Sequence, residues 1–242
     1  MRSRSRRAGG RAAAEPASAR PRYSPGAVQV LLLDLDETLY PRGNGVLARV
    51  GARINAYLHE RIGIPADEVD TVRRALRDAH GTTLRGLEAR YDVDVDDYLS
   101  TIHGVDLSDL LGPVPALRAL LGRLPARKAV FTNAPRQHAD QVLRLLDLGD
   151  AFEAVVTIED LSLRPKPDPH AYLAVTERLG VEAAACVLVD DTRANVVAAA
   201  RAGMRTVWLA PAPQDDDAVH HVITDLRELE SLLAGLSPGR AG

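Results

Sequence analysis

Asp34 and Asp36, with one residue between them, stand just past the run 28–33, which is apolar except for Gln29; Thr132 closes a second apolar run, and Asp190-Asp191 end a third. In open α/β sheets the ligand crevice lies beyond the carboxyl ends of the strands, so residues at these positions converge on one crevice. A lone Asp-x-Asp is more often a solvated turn, and the weight here rests on the joint pattern. Four carboxylates in a small volume repel one another, and some of their pKa values rise unless a cation is present. Magnesium answers that need, since it prefers oxygen ligands and keeps several waters, and Asp34, Asp36, Asp190 and Asp191 are its candidate ligands. The chemistry such a site suits is phosphoryl transfer, in which a metal and a lysine neutralise the charge that keeps a carboxylate from a phosphate dianion.

Lys166 is the candidate lysine. It lies in Arg164-Pro165-Lys166-Pro167-Asp168-Pro169, where prolines restrict the backbone, and it is one of only two lysines, with Lys128, in an arginine-rich chain. Asp34 is then the expected nucleophile. Asp36 serves as general acid toward the leaving alkoxide and afterwards as general base for the hydrolytic water. The Thr132 hydroxyl and the Asn133 amide are expected to bind the non-bridging phosphate oxygens.

The elements that must position these groups follow from periodicity. Residues 28–33 predict a strand buried on both faces. Val46, Val50, Ile54, Tyr57, Leu58 and Ile62 recur at helical spacing until Pro65. Val69, Val72 and Leu76 predict a second helix and residues 96–102 a later one, so 43–112 reads as all-helical. From residue 113 the pattern alternates: helix 115–123, strand 128–132, helix 136–147, strand 153–158, helix 168–179, strand 186–190, helix 193–202, strand 205–209. An edge strand at Val222 and Ile223 and a last helix over Leu226, Leu229, Leu232 and Leu233 complete it. The expected fold is α/β: a Rossmann-like, mostly parallel sheet flanked by helices, built from 28–42 and 113–236, with a small all-helical cap inserted at 43–112.

The chain has 242 residues, 46% of them hydrophobic, enough for a sizeable core. No apolar run approaches the roughly 20 residues that span a bilayer, and the arginine-rich start lacks the apolar segment of a secretory signal, so the expected location is the cytoplasm. Cys186 is the single cysteine, which excludes an internal disulfide and a thiolate metal cluster. The formal net charge is −3, yet Arg2, Arg4, Arg6, Arg7, Arg11, Arg20 and Arg22 face only Glu15 in the first 27 residues, so the body is distinctly acidic. Residues 1–27 read as a disordered extension, as do 237–242. The expected partner is a small-molecule phosphomonoester, with neither membrane nor nucleic acid.

Asp34-Leu35-Asp36-Glu37-Thr38-Leu39-Tyr40, Val130-Phe131-Thr132-Asn133, Lys166-Pro167 and Val189-Asp190-Asp191-Thr192 resemble, in order, the four motifs of the haloacid dehalogenase superfamily. The likeness spans residues 28 to about 235. It implies a Rossmann-like fold, Asp34 as nucleophile, Asp36 as acid/base, and magnesium held by Asp34, the Asp36 carbonyl and the fourth-motif acids, with Asp191 the main ligand and Asp190 its support. Where many members carry a further aspartate, this chain has Asn195. The acid at Asp36 argues against dehalogenation, because members with that chemistry lack an acid there.

The insertion resembles the cap of one subgroup, which closes over the site and selects the leaving group. Within that subgroup, Tyr40-Pro41-Arg42-Gly43-Asn44-Gly45, the segment from His80 to Leu87, and Phe131-Thr132-Asn133-Ala134 are similar to pyrimidine 5'-nucleotidases. That similarity implies nucleoside 5'-monophosphates as substrates, with Arg85 the candidate contact in the cap. Tyr57 and Tyr98 are expected in the cap core and His103 in a structural role. A phosphatase for sugar phosphates or lysophosphatidate is the alternative within the class, and a catalytically silent phospho-switch or scaffold the alternative outside it. Receiver domains, the known switches of this kind, place their acid pair first and the phosphoacceptor later, the reverse of the order here.

Overall fold

The computed structural model describes residues 28–236; the expectations for 1–27 and 237–242 lie outside the described residues. The apolar runs form six parallel strands: β1 (Val30–Leu33), β2 (Arg127–Phe131), β3 (Ala154–Val156), β4 (Cys186–Asp190), β5 (Arg205–Leu209) and β6 (His221–Ile223). Their order is β3-β2-β1-β4-β5-β6, so β1, which delivers the first acid, lies between the strands that deliver Thr132 and Asp190.

Alternation along the strands builds two apolar layers. Leu31, Leu33, Val130, Val187, Val189 and Val207 face one side, beneath α5 (Pro115–Arg123), α6 (Arg136–Leu145) and α9 (Leu229–Leu236). Val30, Leu32, Ala129, Phe131 and Leu188 face the other, beneath α7 (Pro169–Leu179) and α8 (Arg193–Arg201). Val30, Leu31, Leu32 and Leu33 are all fully buried, which explains why β1 reads as a continuous apolar run rather than an alternating one.

Between β1 and α5 the chain makes four helices, α1 (Val46–Glu60), α2 (Val69–His80), α3 (Thr83–Arg90) and α4 (Val95–His103). They share an apolar cluster of their own that includes Leu58, Val69, Leu76, Leu87 and Ile102. Tyr57 and Tyr98 belong to it, their rings meeting edge to face at 5.1 Å. The sequence pattern does not separate out α3, because Gly81 and Gly86 interrupt it. Thr82 caps that helix by accepting from the Arg85 amide. Gly86 lies so close to α2 that a Cβ there would come within 2.6 Å of the Leu76 Cβ, so the residue that weakens the helical signal permits the helix contact. Among the described residues no helix is long and apolar enough to cross a membrane.

Candidate active site

β1 ends by pairing the Asp34 amide with the Val189 carbonyl at 2.9 Å, which sets Asp34 beside the end of β4. The chain then reverses: Glu37 takes a left-handed backbone (φ 56°), and the amides of Thr38 and Leu39 both donate to the Leu35 carbonyl. This turn brings Asp36 into the same cavity as Asp34. The cavity, about 360 Å³, is lined by Asp34, Asp36, Glu37, Arg42, Leu47, His103, Thr132, Asn133, Ala134, Asp191, Thr192 and Asn195.

Lys166 and Asp190 lie beneath its floor. The Lys166 ammonium is buried and donates to Asp34 Oδ1 at 2.9 Å, Asp190 Oδ2 at 2.7 Å and the Phe131 carbonyl at 2.6 Å. Its three protons are thus fully used, and Asp34 is fixed by one oxygen. Burial opposes charge on the lysine, but Asp190 and Asp34 outweigh it and hold its pKa above the ordinary value. Burial pushes the Asp34 carboxyl up; the Lys166 charge opposes that and the Asp190 charge adds to it.

Asp190 is the anchor of the floor. Besides Lys166 it accepts from the Thr192 amide at 2.8 Å and from Asn195 Nδ2 at 3.1 Å on each oxygen. Asp191 is the more exposed of the pair. Burial and the Asp190 charge raise its pKa to about 6 against the pull of Arg42, whose guanidinium reaches Asp191 Oδ2 at 2.7 Å. Asp34, Asp190 and Asp191 each offer an oxygen within 4.8 Å of the others. A donor set of hard carboxylate oxygens with two members driven toward protonation suits magnesium, and Asp34 and Asp191 would hold it at the cavity face.

The Thr132 hydroxyl accepts from the Ala134 amide at 3.0 Å at the end of β2. The Asn133 side chain, expected to face phosphate, forms a reciprocal pair with the Lys166 backbone: its oxygen accepts from the Lys166 amide at 2.8 Å and its nitrogen donates to the Lys166 carbonyl at 2.9 Å. It therefore ties the lysine loop to the end of β2. Arg85 is not in the cavity wall; its guanidinium lies 3.6 Å from Asp168, two residues beyond Lys166.

The sequence reading did not single out His138. It lies in the first turn of α6, fully buried, with Nε2 2.8 Å from Asp36 Oδ1. The Tyr40 hydroxyl donates to the same oxygen at 2.6 Å. Burial raises the Asp36 pKa, but His138 and Tyr40 overcome it and hold the carboxyl below its usual range. From α4, the His103 ring packs against His138 at 4.7 Å. A histidine in the first turn of the helix that follows Thr132 was the available signal.

The family model for haloacid dehalogenase-like hydrolases matches residues 28–203, which takes in every acid, threonine and lysine described above. The chain belongs to the haloacid dehalogenase-like hydrolases. Within this family, phosphoglycolate phosphatase of Pectobacterium atrosepticum is 31% identical over 194 residues, covering 76% of this chain and 80% of that protein. Validoxylamine A 7'-phosphate phosphatase of Streptomyces hygroscopicus subsp. limoneus is 26% identical over 222 residues, covering 82% and 96%. The match spans only 42%, 60% and 41% of the length of three other curated relatives. A solved HAD phosphatase from Thermococcus onnurineus shares the fold, with a TM-score of 0.62 and 21% identity over 86% of this chain and 98% of that one.

Proposed function

We propose that this hydrolase cleaves small phosphomonoesters with magnesium, through a phosphoryl group carried transiently on Asp34. The observation that carries the proposal is the Asp34-Lys166-Asp190 triplet: the buried ammonium holds Asp34 Oδ1 at 2.9 Å, while Oδ2 of this cavity-lining residue has, among the described residues, only the Thr38 hydroxyl at 3.5 Å. A nucleophile fixed in this way loses little freedom on reaching phosphorus. Bound at Asp34 and Asp191, magnesium would neutralise charge between the nucleophile and the phosphate. Thr132 donates its hydroxyl to a non-bridging oxygen, while Asn133 acts by holding the Lys166 loop. Asp36 protonates the departing oxygen and then deprotonates the water that frees Asp34. The helices of 43–112 act as a cap over the cavity, with 28–42 and 113–236 as the core, and Arg85 meets substrate only if that cap shifts.

Similarity of three segments to pyrimidine 5'-nucleotidases favours nucleoside 5'-monophosphates. A second reading, sugar phosphates or phosphorylated small acids, is favoured by the cavity wall, which holds no tyrosine, phenylalanine or tryptophan among its described residues on which a base could stack. The two whole-length relatives named above also act, by their names, on phosphoglycolate and on a phosphorylated validoxylamine. Phosphate release from nucleoside monophosphates, sugar phosphates, phosphoglycolate and lysophosphatidate, with and without magnesium, tests both readings. The expected result is metal-dependent turnover that Asp34→Asn abolishes. An inert wild type across the panel would sink the proposal and favour a phospho-switch or scaffold.

A further inference from the structure

Asp36 has to present one oxygen to the leaving group, at a cavity edge where a carboxylate side chain is otherwise free to rotate. Its Oδ1 is held from two directions, by the Tyr40 hydroxyl at 2.6 Å and by His138 Nε2 at 2.8 Å. Among the described residues no hydrogen bond engages Oδ2. His138 Nδ1 is buried without a partner, so a proton there would lose water and gain nothing. The ring therefore carries its proton on Nε2 and donates it to Asp36. A histidine serving only as packing has no reason to aim its one donor at that oxygen. His103, from α4, packs edge to face on the same ring at 4.7 Å.

We propose that His138 is a positioning residue for proton transfer to the leaving group: together with Tyr40 it pins Asp36 Oδ1, so that Oδ2 alone faces the departing oxygen. This rests on the phosphatase reading above. As the Asp34 oxygen bonds to phosphorus, the bond to the leaving oxygen breaks; that oxygen keeps the electron pair and takes the proton that Asp36 Oδ2 must carry at this step, a transfer the two donors on Oδ1 favour because they stabilise the carboxylate it leaves. The carboxylate so formed remains held through Oδ1 by the two donors. It then accepts a proton from the water whose oxygen attacks phosphorus, which releases phosphate, frees Asp34 and restores protonated Asp36. His138 keeps its own proton throughout.

The test compares kcat/KM for the best alkyl phosphate with that for p-nitrophenyl phosphate, whose phenolate leaves without needing a proton, in wild type, His138→Leu, His138→Gln and Tyr40→Phe. General acid catalysis contributes roughly 10²–10⁴-fold. His138→Leu is expected to lower the alkyl ester by at least about 10²-fold and the aryl ester by only about threefold, with Gln, which keeps a donor, restoring most of the difference. Tyr40→Phe is expected to show the same selective loss, and it gives the answer should the leucine variant fail to fold. Equal losses on both esters overturn the inference while leaving the phosphatase reading intact. A wild type inert on every ester overturns both. Nitrogen-15 NMR of the wild type gives an independent readout: His138 protonated on Nε2 supports the inference, and protonation on Nδ1 overturns it.

Discussion

Asn195 Nδ2 lies 3.1 Å from each carboxylate oxygen of Asp190, a neutral clamp on a buried acid. The floor of the site thus keeps two buried acids, Asp34 and Asp190, against one buried lysine. Asn195→Asp would add a third charge beside Asp190. Without metal the variant is expected to be less stable than wild type by on the order of 2 kcal/mol, with much of the loss recovered in magnesium. Urea unfolding in chelator and in magnesium measures both terms. Equal stability of the two proteins in chelator would mean that the clamp's neutrality is unimportant.

Lys166→Met removes the cation but leaves its three acceptors in place. Breaking a buried ion pair from one side costs about 3–5 kcal/mol. The loss should be greatest at neutral pH and shrink in acid, where Asp34, its pKa raised by burial, takes a proton. Turnover should vanish with it. A variant as stable as wild type at pH 7 would contradict the fixed triplet.

Asp191 and Asp34 both have folded-state pKa values raised above the ordinary carboxylate range, Asp191 to about 6. In that case the folded chain holds protons the unfolded chain has released, so their contribution to stability is lost as pH rises through the folded values. Magnesium bound as proposed would replace those protons. Its increment in Tm should therefore grow between pH 5 and pH 8, which a thermal melt series with and without metal measures directly. An increment independent of pH would place the ion elsewhere.

His103 shifts the opposite way. Burial and the neighbouring His138 lower its pKa to about 3, so it is neutral when folded and charges on unfolding below its ordinary value near 6.5. Its contribution is present at pH 7 and falls by roughly 3 kcal/mol by pH 4. The stability difference between wild type and His103→Gln, followed by denaturant titration over that range, isolates it. A difference curve that stays flat would show that the ring remains wetted.

The sheet and the motif acids were legible because each strand that carries chemistry has an apolar run of three or four residues just before its functional residue, at 30–33, 129–131 and 187–189. The extents of β4, β5 and α5 agree with the sequence reading residue for residue. Elements set by contacts distant in sequence were not. α3 is a helix because Thr82 caps it and Gly86 fits Leu76, and neither fact has a periodicity. Asn133 reads as a phosphate ligand until Lys166, 33 residues later, takes both ends of its amide. His138 meets Asp36 across 102 residues, a pairing created by the adjacency of β1 and β2 and by the turn at Glu37.

That strand order also bears on how the protein is made. β1 joins β2 by pairing Val30 with Arg127 and joins β4 by pairing Val30 with Cys186. On a ribosome the most apolar strand emerges first and has no partner until the whole helical insertion, and then the middle of the chain, has followed. Such distant pairings make folding slow and leave apolar strand exposed while it waits. The four inserted helices contact one another locally and can form meanwhile. The insertion thus lengthens the interval in which a nascent 28–33 segment needs shelter from other chains.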